Sequence, residues 1–172
     1  MKAFFRWSIC LLAILFAIIL VRTFLVQRAV VDGNSMESTL SDGDSVLVDK
    51  ISYRFRDPAR FDVVVFPFPE GSSTLYIKRI IGLPGEIVQI KDGVILINGV
   101  PLSENYGMEE ISYPGQAWEG VTLGENEYFV LGDNRNNSDD SRLPKVGNIS
   151  GDRFIGRAWL RIFPFSGFGT VK

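Results

Sequence analysis

From residue 29 onward the chain has no run of useful length in which apolar residues recur at helical spacing, and this restricts it to strands. Instead, short β-branched segments sit between Gly, Pro and Asp at residues 46–48, 62–66, 76–81, 127–131 and 154–162. Residues 87–91 and 94–97 flank Asp92-Gly93, a dipeptide suited to a tight primed turn, and so predict a hairpin. Asn98-Gly99 predicts a second turn directly after it. Residues 104–125 are polar and Gly-rich with scattered aromatics, which reads as a long excursion off the sheet rather than a separate domain. The expected fold class is all-β, a single domain of mostly antiparallel sheet over residues 29–172.

The N-terminal part is different. Residues 7–21 carry no charge, and extending the run to 4–26 gives about 34 Å of helix, enough for a hydrocarbon core of roughly 30 Å. Arg6 and Arg22 then fall near its ends, where long cationic side chains reach the interfaces. A cleaved secretory leader would share the basic start and apolar middle, but no small-x-small site follows Val21. Residues 1–28 are therefore expected to be a transmembrane anchor helix. Lys2, Arg6 and the amino terminus against Arg22 and Arg28 favour the N-terminus inside. The four charges before Asp32 are basic and the whole chain is −2, so the remainder is acidic and carries no nucleic-acid footprint.

The chain contains no histidine and one cysteine, Cys10, inside the apolar run. A Ser-His-Asp triad is thereby excluded and a zinc site lacks ligands. No cofactor is expected. Three polar clusters carry the remaining chemistry. Ser35 lies in the turn-rich stretch Asp32-Gly33-Asn34-Ser35-Met36-Glu37-Ser38-Thr39-Leu40, where a serine is either a turn residue or a nucleophile. Lys78 stands inside an apolar strand, where burial lowers an ammonium pKa toward that of a base; an edge-strand lysine that deters aggregation is the alternative. Arg79 points to the opposite face and, if buried, needs a carboxylate. The Asn/Asp/Ser-rich segment 132–142 can supply one. It is not an EF-hand, because Arg135 stands where the third loop position needs an oxygen ligand and no glycine holds the sixth.

Taken in order, Ser35-Met36-x-x-Thr39-Leu40, Gly43-Asp44, Tyr76-Ile77-Lys78-Arg79-Ile80-Ile81-Gly82-Leu83-Pro84-Gly85 and Gly132-Asp133-Asn134-Arg135 through Asp140-Ser141-Arg142 resemble the type I signal peptidases. The resemblance runs from the apolar segment to about Phe165. It implies a membrane-bound serine endopeptidase that removes signal peptides from secretory precursors after small-x-small sites, on the outer face of the cytoplasmic membrane. Ser35 matches the nucleophile, Lys78 its general base, and Ser138 the hydroxyl that orients the lysine. Asp140 matches a carboxylate pairing with Arg142 and Arg79. Val31, Met36, Leu40, Tyr76 and Ile77 match the lining of the pockets for small substrate side chains. The implied partners are signal peptides and the lipid bilayer.

Two positions depart from the family pattern: Ser38 stands where proline is usual, and Gly33 where some members carry an oxyanion-hole serine. A membrane-tethered β-domain that only binds partners, and a self-cleaving Ser-Lys protein, remain alternatives on the residues alone.

Overall fold

The computed structural model describes residues 2–20, 25–68, 74–107 and 109–172. It begins with a helix, α1 (Lys2–Leu20), and continues as strands β1 (Val26–Val30), β2 (Ser45–Asp49), β3 (Val63–Pro67), β4 (Leu75–Gly82), β5 (Ile87–Lys91) and β6 (Val94–Ile97). These are followed by β7 (Val100–Pro101), β8 (Val121–Thr122), β9 (Glu127–Leu131), β10 (Ile149–Ser150), β11 (Gly156–Phe163) and β12 (Gly169–Thr170). An eight-stranded sheet runs β1-β2-β11-β3-β4-β9-β10 with β12 added on β11, and a four-stranded sheet runs β7-β6-β5-β8. The pairings within both sheets are antiparallel.

Burial explains the strand compositions. In β3, Val63 and Val65 join one core cluster with Val31, Met36 and Val46, whereas Val64 and Phe66 join another with Ile80 and Val130. A strand covered on both faces needs a continuous apolar run, and that is what 63–66 supplies. β9 alternates in the same way: Phe129 and Leu131 pack toward β5 and β6, Tyr128 and Val130 toward the opposite face. The β5–β6 hairpin turns on Asp92 (φ 50°) and Gly93 (φ 77°), both left-handed as a primed turn requires, with Lys91 opposite Val94.

Two boundaries differ from expectation. The helix covers 19 residues, about 28 Å, and Val26, assigned above to the anchor, already belongs to β1. The segment 26–30 is drawn into the sheet by its register with β2, from Val26 opposite Asp49 to Val30 opposite Ser45. Residues 21–24, which the expected helix included, lie outside the described residues. Among the described residues no helix is long and apolar enough to cross a membrane. The stretch 104–125 also does more than leave the sheet. Ile111, Ala117 and Leu123 are buried against β5 and β6, and β8 pairs with β5, so the excursion returns to cover the four-stranded sheet.

Candidate active site

Ser35 is held by the residues on either side of it. Before it, Val31 N–H donates to Asp44 O (2.8 Å) and Gly43 N–H to Val31 O (3.0 Å), fixing the exit from β1. Gly33 turns the chain at φ +87° while its N–H donates to Asp42 Oδ1 at 2.8 Å. After it, the side chains of Met36 and Leu40 are buried in the core, and the Thr39 and Leu40 N–H groups both reach Met36 O at 2.8 Å. The serine is thus a turn residue whose neighbour is anchored in the interior.

The loop after β9 closes over this turn. Asn134 N–H donates to the Ser35 carbonyl (3.1 Å), and Asn134 Nδ2 to Asn34 O (3.1 Å). Gly132 makes the approach possible, because a Cβ there would fall on the Ser35 carbonyl oxygen and on Ser138 Oγ. Gly132→Ala is accordingly expected to cost about 1–3 kcal/mol and to displace Ser35, lowering turnover more than the fall in melting temperature alone explains. Thermal melts and peptide-cleavage rates on the same variant check this.

Lys78 is only 4% exposed, at the middle of β4. Its Nζ lies 2.7 Å from Ser35 Oγ and donates to Ile77 O at 3.1 Å, with the Tyr76 ring centroid 4.8 Å away. Burial pulls its pKa down to about 8, against the opposing influence of the Asp140, Asp139 and Asp133 charges. An amine at that pKa can give up its proton near neutral pH and then accept the Ser35 hydroxyl proton.

The same shift fixes a stability effect. Between pH 8 and 10.5 the unfolded chain holds a proton on this lysine that the folded chain has lost, so stability rises with pH across that window. Below pH 8 the whole penalty of the buried ammonium, about 3 kcal/mol, is present. Lys78→Met is therefore expected to raise stability by up to about 3 kcal/mol at pH 6–7, offset in part by lost hydrogen bonds, with the gain vanishing toward pH 10.5. Denaturant melts of both proteins across pH 6–10.5 measure it.

Behind Ser35 and Lys78 the basic side chains are paired differently from expectation. Asp140 holds Arg142 through two contacts of 2.8 Å (Oδ1 with Nε, Oδ2 with Nη2) and also accepts Gly132 N–H at 3.1 Å. Arg79, expected on Asp140 as well, instead pairs with Asp133, Nε to Oδ1 at 2.8 Å and Nη2 to Oδ2 at 2.6 Å. The reason is strand alternation, which turns Arg79 away from the Lys78 face and toward Thr39, Phe61 O and Lys172 O. Thr39 Oγ1 donates to Asp133 Oδ2 at 2.5 Å, so Asp133 ties the turn that carries Ser35 to β4. Asp133 lay within the segment singled out, but no feature of the sequence distinguished it from Asp140.

Two further expectations are corrected. Among the described residues Ser138 Oγ is buried without a hydrogen-bond partner, and the second partner of Lys78 Nζ is the Ile77 carbonyl. Ser138 packs instead against the Gly132 backbone. Leu40 does not line the cleft. A cleft of about 220 Å³ beside Ser35 and Lys78 is lined by Val31, Met36, Tyr76 and Ile77, whereas Leu40 faces the core. Val30, Asp32, Leu75 and Asp139 also line it and were not singled out from the sequence. Among the described residues no cluster of three or more His, Cys, Asp or Glu side chains is placed to hold a metal.

The cleft lies between two unpaired strand edges. Among the described residues β1 pairs only with β2, and Leu75 to Lys78 of β4 pair only with β3, since β9 joins β4 from Arg79 onward. An extended peptide can add there as a strand, with its carbonyl carbon presented to Ser35.

A family model described as signal peptidase, peptidase S26, matches residues 4–163. A signal peptidase I of Leptolyngbya laminosa is 40% identical over 158 residues, covering 88% of this chain and 75% of that protein. Signal peptidase I T of Bacillus subtilis is 36% identical over 178 residues, covering 99% and 91%. A crystal structure of a signal peptidase I from Enterococcus faecalis superposes with a TM-score of 0.50 at 38% identity, covering 59% of this chain and 97% of that one.

Proposed function

The chain belongs to the signal peptidase family, peptidase S26, as an enzyme of type I, and on that footing we propose that Ser35 and Lys78 form the dyad with which it removes signal peptides from secretory precursors. The observation that carries this reading is the 2.7 Å separation of Lys78 Nζ and Ser35 Oγ at the end of an open, strand-edged cleft. Neutral Lys78 Nζ takes the hydroxyl proton as Ser35 Oγ bonds to the carbonyl carbon, and the carbonyl electron pair moves to oxygen. The backbone N–H of Ser35 faces the oxyanion; Gly33 has no side-chain donor to add. As the C–N bond breaks, the Lys78 ammonium returns the proton to the departing amine and leaves an ester on Ser35. Water, deprotonated by Lys78, then attacks the ester, and Ser35 Oγ recovers its proton from the lysine.

Selectivity follows from the lining. Val31, Met36 and Ile77 are buried side chains that leave shallow space, which admits small residues at alternate positions of an extended substrate and refuses large ones. The exposed Phe4, Trp7, Leu11, Leu12, Ile14, Leu15 and Phe16 of α1 support tethering of this segment to a bilayer. Lys2, Arg6 and the amino terminus against Arg22 and Arg28 support a single pass with the N-terminus inside and residues 29–172 on the outer face of the cytoplasmic membrane.

Incubating the detergent-solubilised full chain with a secretory precursor carrying an Ala-x-Ala site is expected to yield one cut directly after the second Ala, read by mass spectrometry. A folded protein that leaves the precursor intact contradicts the proposal.

A further inference from the structure

Among the described residues the charged side chains lining the cleft are Asp32, Lys78 and Asp139. In the reactive form, in which Lys78 is neutral, the described lining presents two carboxylates to a peptide and no cation. Asp139 is half-exposed on the loop after β9, its Oδ2 paired with the half-exposed Lys145 Nζ at 2.6 Å. Its charge bears on both Lys78 and Tyr76, which places it on the lysine side of the dyad.

The sheet decides which part of the substrate meets it. A peptide added between β1 and residues Leu75 to Lys78 of β4 cannot continue along β4, because Leu131 of β9 already occupies the edge opposite Arg79. The residues before the scissile bond lie in the sheet gap beside Val31, Met36 and Ile77. On the peptidase reading, those after it turn outward past Lys78, on the side of the cleft where Asp139 acts on that lysine.

We propose that Asp139 is a specificity-determining residue, a carboxylate that favours a basic and disfavours an acidic side chain immediately after the cleavage point. This rests on the peptidase reading of the same cleft. Asp139 Oδ1 is the oxygen not engaged by Lys145 in the pair, and a carboxylate accepts from two cations at once. Lys145 screens part of the charge, so the effect is one of rates rather than of absolute exclusion.

The test uses the solubilised full chain and three peptides that share an Ala-x-Ala site and differ only in Lys, Gln or Glu at the first position after it. The wild-type enzyme is expected to rank them Lys, Gln, Glu in kcat/KM, with a Lys-to-Glu ratio of about 3 to 10 that shrinks as salt is raised. Asp139→Asn moves the ratio toward one and Asp139→Lys inverts it. A merely structural residue would slow all three peptides alike. Equal rates with the three peptides in wild type, or a ratio unaltered by both substitutions, overturns the inference while leaving the peptidase reading standing. Failure to cleave any of the three overturns that reading and the inference with it.

Discussion

Lys78→Arg is expected to reduce signal-peptide cleavage by roughly 10⁴-fold, although it keeps the positive charge at the same place on β4. The guanidinium stays protonated throughout the usable pH range and cannot accept the Ser35 proton. Ser35→Ala and Lys78→Met should be as inactive as the arginine variant, and combining Ser35→Ala with Lys78→Met should cost little more than either alone, because nucleophile and base act as one unit. Lys78→Met serves as the folding control, since it is expected to be at least as stable as wild type at neutral pH. Cleavage of a fluorogenic Ala-x-Ala peptide measures the losses. Turnover by the arginine variant within tenfold of wild type would mean that the lysine contributes charge or packing only.

The second large effect lies on the opposite face of the same strand. Arg79 and Asp133 have fully buried side chains, at 0% exposure each, and among the described residues no other side-chain carboxylate lies within salt-bridge distance of Arg79. Asp133→Asn keeps the shape but removes the paired charge, leaving the buried guanidinium with the amide oxygen, the backbone oxygens of Phe61 and Lys172, the Thr39 hydroxyl and the Tyr106 ring. Removing one partner of such a pair costs about 3–5 kcal/mol, or about 10 °C in melting temperature for a chain of this size. The half-exposed Asp139–Lys145 pair makes the contrast, since Asp139→Asn should cost about 1 kcal/mol or less. Activity should fall with stability in Asp133→Asn, because Asp133 also holds Thr39 in the turn of Ser35. Equal melting temperatures for the two variants would contradict the role given to Asp133.

Much of this arrangement could be read from the residues. Short β-branched runs and the Asp92-Gly93 and Asn98-Gly99 turns place strands β2 to β6, because side-chain period and left-handed turn residues are local properties. Alternation along β4 was enough to separate Lys78 from Arg79 and to require a carboxylate for the arginine. Which carboxylate was beyond local reasoning. Asp133 and Asp140 lie on one loop, and only the path of that loop over Ser35 brings the first to Arg79 and the second to Arg142. β1 was hidden for a different reason: a valine-rich segment following an apolar helix continues the hydrophobic run, and composition does not mark where helix gives way to strand. Leu40 illustrates the same limit at the site, since an apolar residue near a nucleophile reads alike whether it lines the cleft or fills the core behind it.

The proposed mechanism depends on a lysine that loses its proton at a pH where the enzyme works. With the pKa pulled down to about 8, roughly a tenth of the lysine is neutral at pH 7, against about one in 3,000 at the ordinary value of 10.5. The direct measurement is kcat/KM for one neutral Ala-x-Ala peptide from pH 6 to 10.5 in detergent, under conditions where the protein stays folded. The predicted profile rises tenfold per pH unit at the acid end and levels off above an apparent pKa of about 8. A profile that is flat across this range, or one still rising tenfold per unit beyond pH 10, would contradict Lys78 as the base for Ser35.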